Sequence, residues 1–348
     1  MESHAPLSAD SGIDTAPADE RQQWALAALR AQTVFAARNV PFWSARIARS
    51  GIEPEKILDL DSFARLPPLD KAELRQLSPW DLVPRSCWRR LYVCRSTSGT
   101  TGTPTWVFWT RADWTALIET MVRLLARHRP DIEVVAFNGY HQGHLMGRAY
   151  EDAIRLLGGT SIPRHYSAED EASTLEQLRT FACNTLILTQ RSGLKKSGRA
   201  VEDLLRADAD FFARCGLRWW IGSSTTFTDE VRETARRQGV DRVTNLYGSS
   251  EFGTLAIACA NDPAEFHLAF GHVFVELVDR EGRAVRSGQR GRIVVSHLLA
   301  SHGDGGSGPH EGTQLLRLDN GDEATFFDGP CACGLSTPRI RDVRRRAP

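Results

Sequence analysis

Between residues 133 and 246 the chain alternates short apolar runs with amphipathic segments, and this alternation constrains the fold more than any other feature. Apolar runs of this length are typical of buried strands, and the segments between them have helical periodicity. Strands that alternate with helices predict βαβ units on a mostly parallel sheet. The predicted strands are 133–137, 185–188, 218–221 and 243–246, and the predicted helices are 150–157, 175–181, 201–215 and 229–238.

The segments on either side of this alternation differ in character. Residues 1–20 are polar and rich in Ala, Ser and Pro, which predicts a disordered tail. Residues 254–348 contain strand-like runs joined by turn residues, and their Gly-rich stretch at 301–312 predicts a flexible insert. We therefore expect a tail at 1–20, an α/β core at 21–253 and a β-rich subdomain at 254–348.

Composition narrows the possible partners. Lys+Arg and Asp+Glu both number 43, so no overall field favours nucleic acid or an anionic membrane. The seven cysteines are scattered, and no signal peptide or membrane-length apolar run is present in the sequence. These features predict a cytoplasmic enzyme without a nucleic-acid or membrane partner. Among the basic residues only four are lysines, namely Lys56, Lys71, Lys195 and Lys196.

A loop of small residues at 96–104, Ser-Thr-Ser-Gly-Thr-Thr-Gly-Thr-Pro, joins two strand-like runs at 91–94 and 106–109. Such residues let backbone N–H groups approach an anion, and the hydroxyls add further donors. The spacing differs from the Walker pattern, which ends in Gly-Lys-Ser/Thr. The loop therefore predicts phosphate binding. The alternatives are a plain turn, or a kinase-like or other phosphate-binding α/β protein.

The loop and four further motifs resemble the acyl-adenylate-forming superfamily, specifically its phenylacetate–CoA ligase-like branch. The order of the motifs along the chain is also similar. One departure is Thr103, which stands where the family's phosphate loop has lysine. The motifs are 66–75 (LPPLDKAELR), 98–104 (SGTTGTP), 245–251 (NLYGSSE), 288–295 (GQRGRIVV) and 316–322 (LRLDNGD).

The resemblance implies a fold and an activity. The fold is the large N-terminal domain of an adenylate-forming enzyme, with mostly parallel sheets flanked by helices and a small β-rich subdomain at its C-terminal end. The activity is ATP-dependent conversion of a carboxylic acid, aryl or small and polar, into acyl-AMP with release of pyrophosphate. The acyl group would then pass to an amine, hydroxyl or thiol, on a small acceptor or a carrier or partner protein. Because the carboxylate is itself the nucleophile, no catalytic triad is required.

The resemblance also assigns roles to residues. Glu251 would hold Mg²⁺ beside the phosphates of ATP, as a hard oxygen ligand should, and would act in catalysis with Thr100 and Thr101. The alternative for Glu251 is a solvated loop carboxylate. Asp322 would bind the ribose, and the alternative for Asp322 is an aspartate in a surface turn. The nucleotide-binding residues implied are Ser98, Gly99, Thr100, Thr101, Gly102, Gly222, Ser223, Ser224, Tyr247, Gly248, Ser249, Ser250 and Asp322.

The segment after the strand at 133–137 corresponds to the place where the family binds its acyl group. It has two histidines and a tyrosine in a glycine-broken loop, which suggests a polar or aromatic acid. A polar surface loop is the alternative. The implied substrate-binding residues are Tyr140, His141, Gly143 and His144.

Three cysteines and a histidine in the β-rich segment suggest a second metal. Cys259 precedes His267 by eight positions, and Cys331 and Cys333 form a C-x-C pair further on. Three thiolates and one imidazole make a tetrahedral set suited to structural Zn²⁺. Against this, the C-x-C spacing is tight and isolated cysteines are commonly buried hydrophobes.

The family continues beyond a hinge near the position of 341–346 with a mobile domain that carries a catalytic lysine, whereas this sequence ends at Pro348. With Thr103, this departure leaves two alternatives to acyl transfer by the chain itself. A separate polypeptide could supply the missing domain, which would make the product a CoA or carrier thioester. Alternatively, the chain could be an inactive ligand-binding or scaffold subunit.

Overall fold

The computed structural model describes residues 12–96, 104–140, 144–164, 171–194, 198–302 and 306–346. The chain divides into two compact units. Met121–Gly248 form the first, here called the parallel unit. Asp10–Thr120 and Ser249–Pro348 form the second, here called the antiparallel unit. The N-terminal helices thus group with the C-terminal strands, whereas the division into 21–253 and 254–348 stays a prediction from the sequence.

The N-terminal segment is mainly helical. Pro41 begins the second helix, where its missing N–H costs no hydrogen bond. Asp70 caps the fourth helix by accepting the N–H of Glu73 at 2.6 Å, as the capping-box spacing indicates. Residues 12–20, the described part of the predicted tail, include a 3₁₀ turn and the start of the first helix. The elements are α1 Ala18–Asn39, α2 Pro41–Ser50, α3 Leu60–Ala64, α4 Lys71–Gln76, β1 Leu91–Ser96, β2 Trp106–Thr110 and α5 Arg111–Ala126.

The parallel unit contains the predicted βαβ alternation. Its strands pair in parallel in the order β4-β3-β5-β6-β7. The predicted single helix at 201–215 is wrong, because the Asp208 carboxylate accepts the N–H of Asp210 at 3.0 Å and ends the first of two helices. The elements are β3 Val135–Asn138, α6 Leu145–Leu156, β4 Thr160–Pro163, α7 Glu171–Thr180, β5 Thr185–Ile187, α8 Val201–Ala207, α9 Phe211–Cys215, β6 Trp219–Gly222, α10 Asp229–Arg237 and β7 Arg242–Ser249.

The antiparallel unit contains a sheet of order β10-β11-β14-β15-β9-β8, in which each neighbouring pair is antiparallel. A turn at 279–282, in which the Gly282 N–H donates to the Asp279 carbonyl oxygen at 3.2 Å, lies in the connection between two of its strands. The strands that follow the parallel unit are β8 Gly253–Ala258, β9 Glu265–Leu268, β10 Val273–Val278, β11 Arg290–His297, β12 Leu299–Ser301, β13 Ser307–Pro309, β14 Leu318–Phe327 and β15 Arg339–Arg345.

The structure describes residues 301–302 and 306–312 of the Gly-rich stretch. These residues are ordered, whereas the sequence predicted a flexible insert. β12 pairs with β13, and His310 is buried. A Cβ on Gly312 would lie 2.1 Å from the carbonyl oxygen of Phe108, so this glycine allows close backbone contact. The α/β fold predicted from the sequence is confirmed. In the described parts of the chain, no helix combines the length and apolar character needed to cross a membrane.

Candidate nucleotide and metal sites

The predicted phosphate loop lies between β1 and β2, which form an antiparallel pair. Ser98, Gly99, Thr100, Thr101 and Gly102 fall outside the described residues, as do His141 and Gly143 in the predicted acid pocket. The structure therefore describes the strands that carry the loop and the remaining site residues.

Glu251 forms a buried ion pair with a lysine. The carboxylate lies in the turn before β8, and its Oε1 is 2.8 Å from the Nζ of Lys71, the first residue of α4. The side chains are only 3% and 19% exposed, respectively. A carboxylate removed from water needs such a partner. The alternative of a solvated loop carboxylate is therefore wrong.

Lys71 is positioned by the segment that precedes it. The Leu69 N–H donates to the Arg317 carbonyl oxygen at 2.9 Å, and the Asp319 N–H donates to the Leu69 carbonyl oxygen at 2.8 Å. The buried guanidinium of Arg317 also donates to the Leu66 carbonyl oxygen at 2.6 Å. These bonds connect the start of α4 to β14, so the position of Lys71 depends on the sheet.

Lys71 is a candidate site residue, because it pairs with Glu251, and it was not assigned from the sequence. It lies within the motif at 66–75 and is one of only four lysines in the chain. The scarcity of lysine was a usable signal, because the phosphate loop has Thr103 in the family's lysine position. The ion pair itself joins residues far apart in sequence and could not be read from either motif.

In the parallel unit, the segment 222–224 follows the end of β6. Asn245 Nδ2 donates to the carbonyl oxygens of Gly222 and Thr225, each at 3.1 Å. A Cβ on Gly222 would lie 2.5 Å from the ring of Phe227, so the backbone here is closely packed. Asn245 is therefore a second positioning residue that the sequence analysis did not assign, although it opens the motif at 245–251.

Tyr140 contacts this same segment. Its hydroxyl lies 2.9 Å from Ser223 Oγ and accepts the Ser223 N–H at 3.1 Å. Burial raises the pKa of Tyr140, so its hydroxyl stays protonated at neutral pH. The structure thus brings together a residue of the predicted acid pocket and one of the predicted nucleotide residues. His144 caps α6 by accepting the Met146 N–H at 3.2 Å.

The remaining predicted nucleotide residues lie on strands. Tyr247, Gly248 and Ser249 form the half-buried end of β7, and Ser250 follows it. Asp322 lies within β14, where Asn320 Nδ2 donates to its carboxylate at 3.3 Å and Arg345 Nη1 lies 3.7 Å away. Because Asp322 is part of a strand with its side chain 15% exposed, the surface-turn alternative is wrong.

The three cysteines and the histidine meet in the antiparallel unit. Their ligand atoms all lie within 4.8 Å of one another. Cys259 Sγ is 3.6 Å from Cys331 Sγ, and Cys333 Sγ is 3.2 Å from His267 Nε2. The alternative of isolated buried cysteines is therefore wrong for these three.

The buried imidazole of His267 is oriented for such a site. Its Nδ1 lies 3.1 Å from the carbonyl oxygen of Thr337, which can only accept a hydrogen bond. This contact places the proton on Nδ1 and leaves the Nε2 lone pair directed at the thiols. Three thiols and one imidazole, close together and with the imidazole oriented by its hydrogen bond to Thr337, fit a tetrahedral zinc ion.

A sequence model of the AMP-binding enzyme family matches residues 9–302. The chain belongs to this family. Two curated relatives are phenylacetate–coenzyme A ligases. The one from Thermus thermophilus is 24% identical over 344 residues, covering 96% of this chain and 72% of that protein. The one from Escherichia coli is 27% identical over 296 residues, covering 82% and 65%. The chain is phenylacetate–CoA ligase-like, and it spans about two thirds of these relatives' length.

A solved structure supports the fold. A 2-hydroxyisobutyryl-CoA ligase, crystallised with 2-HIB-AMP and CoA, superposes with a TM-score of 0.78 at 21% identity. The match covers 94% of this chain and 68% of that one. At this level of identity the likeness shows the fold of an adenylate-forming enzyme and no more.

A buried histidine pair lies in the same unit as Glu251. The rings of His297 and His310 stack with centroids 3.9 Å apart, and His310 Nδ1 is 3.3 Å from Asp113 Oδ1. Burial lowers the pKa of His297 and lowers that of His310 to about 3, whereas burial raises the pKa of Asp113. Both imidazoles are therefore neutral near pH 7.

This pair predicts a loss of stability on acidification. Below about pH 6.5, His310 is protonated in the unfolded chain but stays neutral in the folded chain. Each histidine of this kind should therefore lower the free energy of unfolding by about 1.4 kcal/mol for every unit that the pH falls. Urea unfolding from pH 7 to 5 should show this fall, which Asp113 partly opposes. His310→Asn should flatten the profile, whereas the exposed His302→Asn should not. An unchanged slope in the first variant would contradict the assignment.

Proposed function

We propose that this chain uses ATP to convert a carboxylic acid into acyl-AMP, with release of pyrophosphate. The observation that carries the proposal is the buried Lys71–Glu251 pair, whose two members come from separate family motifs and contact each other at 2.8 Å. Removing two charges from water costs free energy that their mutual attraction often does not repay, so a buried ion pair contributes little net stability. An inactive scaffold would gain little from such a pair, which argues against that alternative.

Four residues of the antiparallel unit have proposed roles in phosphate chemistry. Glu251 would hold Mg²⁺, which supplies neutralising charge to the phosphates of ATP when bound. Lys71 adds a fixed positive charge beside this carboxylate, in a chain that has Thr103 at the family's lysine position. Thr100 and Thr101, with the loop amides, would bind the β- and γ-phosphates. Rate acceleration then comes from positioning and from charge stabilisation.

The other predicted residues keep the roles that the family resemblance assigns. In the proposal, Asp322 accepts the two ribose hydroxyls, while Tyr140 and His144, with His141 and Gly143, contact the acid. The adenine contacts and remaining loop contacts are assigned to Ser98, Gly99, Gly102, Gly222, Ser223, Ser224, Tyr247, Gly248, Ser249 and Ser250.

The acceptor of the acyl group is a separate part of the proposal. An amine, a hydroxyl or a thiol can attack an acyl-AMP. The curated relatives are coenzyme A ligases by name, which favours a thiol and makes thioester formation the second candidate function. A carrier or partner protein, or a domain supplied by another polypeptide, could present that thiol.

The test is pyrophosphate release by the purified protein with ATP, Mg²⁺ and a panel of aryl and alkyl acids. We expect release that depends on the acid, and formation of a hydroxamate when hydroxylamine is added as a trap. Coenzyme A and simple amines, added separately, would identify the acceptor class. No release with any acid, together with no ATP binding by calorimetry, would leave only the scaffold function.

We also propose that Cys259, His267, Cys331 and Cys333 bind a structural zinc ion. The compact cluster and the orientation of His267 support this assignment. Four protein ligands would complete a tetrahedral shell, which is typical of a structural site, because a catalytic zinc keeps one position open.

A further inference from the structure

Arg164 in the parallel unit has an unusual environment for a partly buried guanidinium. It directly follows β4, and its backbone N–H donates to the Asn138 carbonyl oxygen at 3.0 Å. Its Nη2 donates to the carbonyl oxygen of Gly193 at 3.1 Å. Within the described ranges, no carboxylate forms an ion pair with Arg164, and its Nε is buried without a hydrogen-bond partner.

Among the residues that the structure describes, no carboxylate compensates the positive charge of Arg164. Burial lowers the pKa of Arg164. A guanidinium nevertheless stays protonated in proteins and offers five N–H donors. A partly buried guanidinium that has no carboxylate partner among the described residues can bind an anion favourably.

The topology places Arg164 at a point where α/β sheets bind ligands. From β3 the chain crosses to β4 on one side, whereas β5 and the later strands extend on the other side. Strand order therefore reverses between β3 and β5, and ligands bind in the crevice outside the carboxyl ends of strands at such a point. Gly139 lies at this point, because it directly follows β3 and its N–H donates to the carbonyl oxygen of Ile187, the last residue of β5, at 2.9 Å.

The guanidinium reaches the reversal point itself. A Cβ on Gly139 would lie 3.2 Å from Arg164 Nη2 and 2.8 Å from a methyl group of Leu188. The next residue is Tyr140, which belongs to the predicted acid pocket. A glycine at this position therefore lets the guanidinium pack against the backbone, next to a proposed substrate residue.

We propose that Arg164 recognises a second anionic oxygen group on the carboxylic acid, so that the substrate class is dicarboxylic or similarly dianionic acids. This inference rests on the proposed acid-activating function. The carboxylate that attacks ATP loses its charge when acyl-AMP forms. An unpaired guanidinium is better matched to a group that stays anionic throughout, and its planar fork suits a carboxylate.

The experiment compares acids that differ only in the second anionic group. Glutarate is compared with its neutral monoamide, glutaramate, and terephthalate with terephthalamate. 4-Phosphonobutyrate shows whether the second anion is a carboxylate or a phosphonate. We expect kcat/KM for pyrophosphate release to be at least about tenfold higher for the dianionic acids, mainly through KM. Equal or better turnover of the monoamides by the wild type would overturn the proposal.

Variants assign the preference to Arg164. R164M should abolish it, and R164K should retain part of it, because lysine keeps the charge but loses the fork. R155M is the matched control, since Arg155 is an exposed arginine on α6 paired with Glu151 at 2.6 Å. A folded R164M protein that keeps the wild-type preference would overturn the proposal, and would show that Arg164 only holds the backbone at Gly193.

Failure of the inference can be separated from failure of the proposed function. Calorimetric titration of glutarate and glutaramate into wild type and R164M needs no turnover. Tighter binding of glutarate that R164M removes supports the inference even when no pyrophosphate is released. Turnover of monocarboxylic acids with no preference for dianions supports the function and rejects the inference.

Discussion

Glu251→Gln should lower kcat/KM for pyrophosphate release by about 10²–10³-fold, the cost typical of removing one preorganised electrostatic group from an active site. The substitution keeps the size of the side chain and removes the charge that would hold Mg²⁺. The loss should be largest at low Mg²⁺ and partly recover as Mg²⁺ is raised, because weaker binding is offset by concentration. Initial rates over a Mg²⁺ series, with a saturating acid, measure both effects.

Lys71→Met should act on the same ion pair from the other side. Its removal leaves Glu251 buried without a counter-charge, which costs up to about 3–5 kcal/mol in fully buried pairs and less here, since Lys71 is 19% exposed. We expect a higher KM for ATP, with part of the loss restored in Lys71→Arg. In the double variant with Glu251→Gln the two effects should be less than additive, because both remove one interaction.

The chain offers a matched control for this pair. Lys56 and Glu53 also form an ion pair, at 2.7 Å, but their side chains are 72% and 66% exposed. Lys56→Met should therefore leave both activity and stability within experimental error. If a folded Glu251→Gln protein keeps its rate within twofold of wild type at every Mg²⁺ concentration, Glu251 is not the metal ligand and the pair is structural.

The parallel sheet could be predicted from the sequence because its signal is local. Apolar runs such as 185–188 and 218–221 reveal buried strands, and helical segments between them leave a parallel arrangement as the simplest solution. The cap at Asp70 was predictable for the same reason, since Asp70 and Glu73 are neighbours in sequence. Local chemistry thus determined element types and several of their ends.

Local chemistry was misleading where packing decides the outcome. The stretch at 301–312 has the composition of a flexible linker, yet Gly312 contacts the Phe108 backbone and His310 stacks on His297. Glycine permits flexibility and close packing equally, and only the tertiary neighbours distinguish the two. The prediction of a single helix at 201–215 was wrong for a similar reason, because the Asp210 N–H donates to the Asp208 carboxylate and interrupts the helix.

The candidate site was predictable in its motifs and unpredictable in its charge pairing. Glu251 and Asp322 could be assigned from the resemblance, but the partner of Glu251 depends on how Arg317 connects the segment before α4 to β14. Arg164 is a stronger example. Its proposed role depends on the lack of a carboxylate partner among the described residues, which the local sequence does not reveal.

Purified protein should contain about one zinc per chain, and Cys333→Ser should reduce this to well below one. Two thiolates and an imidazole would remain, which is an incomplete shell for a structural zinc site. Because zinc binds the folded state, its loss should lower the free energy of unfolding by at least about 2–3 kcal/mol, the amount expected when ligand exceeds its dissociation constant a hundredfold. Elemental analysis and urea unfolding measure the two effects.

Cys94→Ser is the matched control, because Cys94 is a half-buried cysteine on β1 outside the cluster. It should change neither the zinc content nor the response to a strong chelator. Wild-type protein with well under one zinc per chain, purified without chelator, would reject the site. Equal stability of wild type and Cys333→Ser would reject its structural role.

The place of the cluster in the sheet predicts where zinc loss should be felt first. Cys331 and Cys333 lie in the connection between β14 and β15, whereas His267 lies on β9 and pairs with Arg339 of β15. A metal ion would therefore join β9 to the segment that leads into β15, at the His267–Arg339 end of their contact. Without it, β15 should exchange its amide hydrogens faster than β10 and β11, because local opening follows the loss of local constraints. β15 also carries Arg345, which lies beside Asp322, the proposed ribose ligand. Removal of zinc should therefore weaken ATP binding as well.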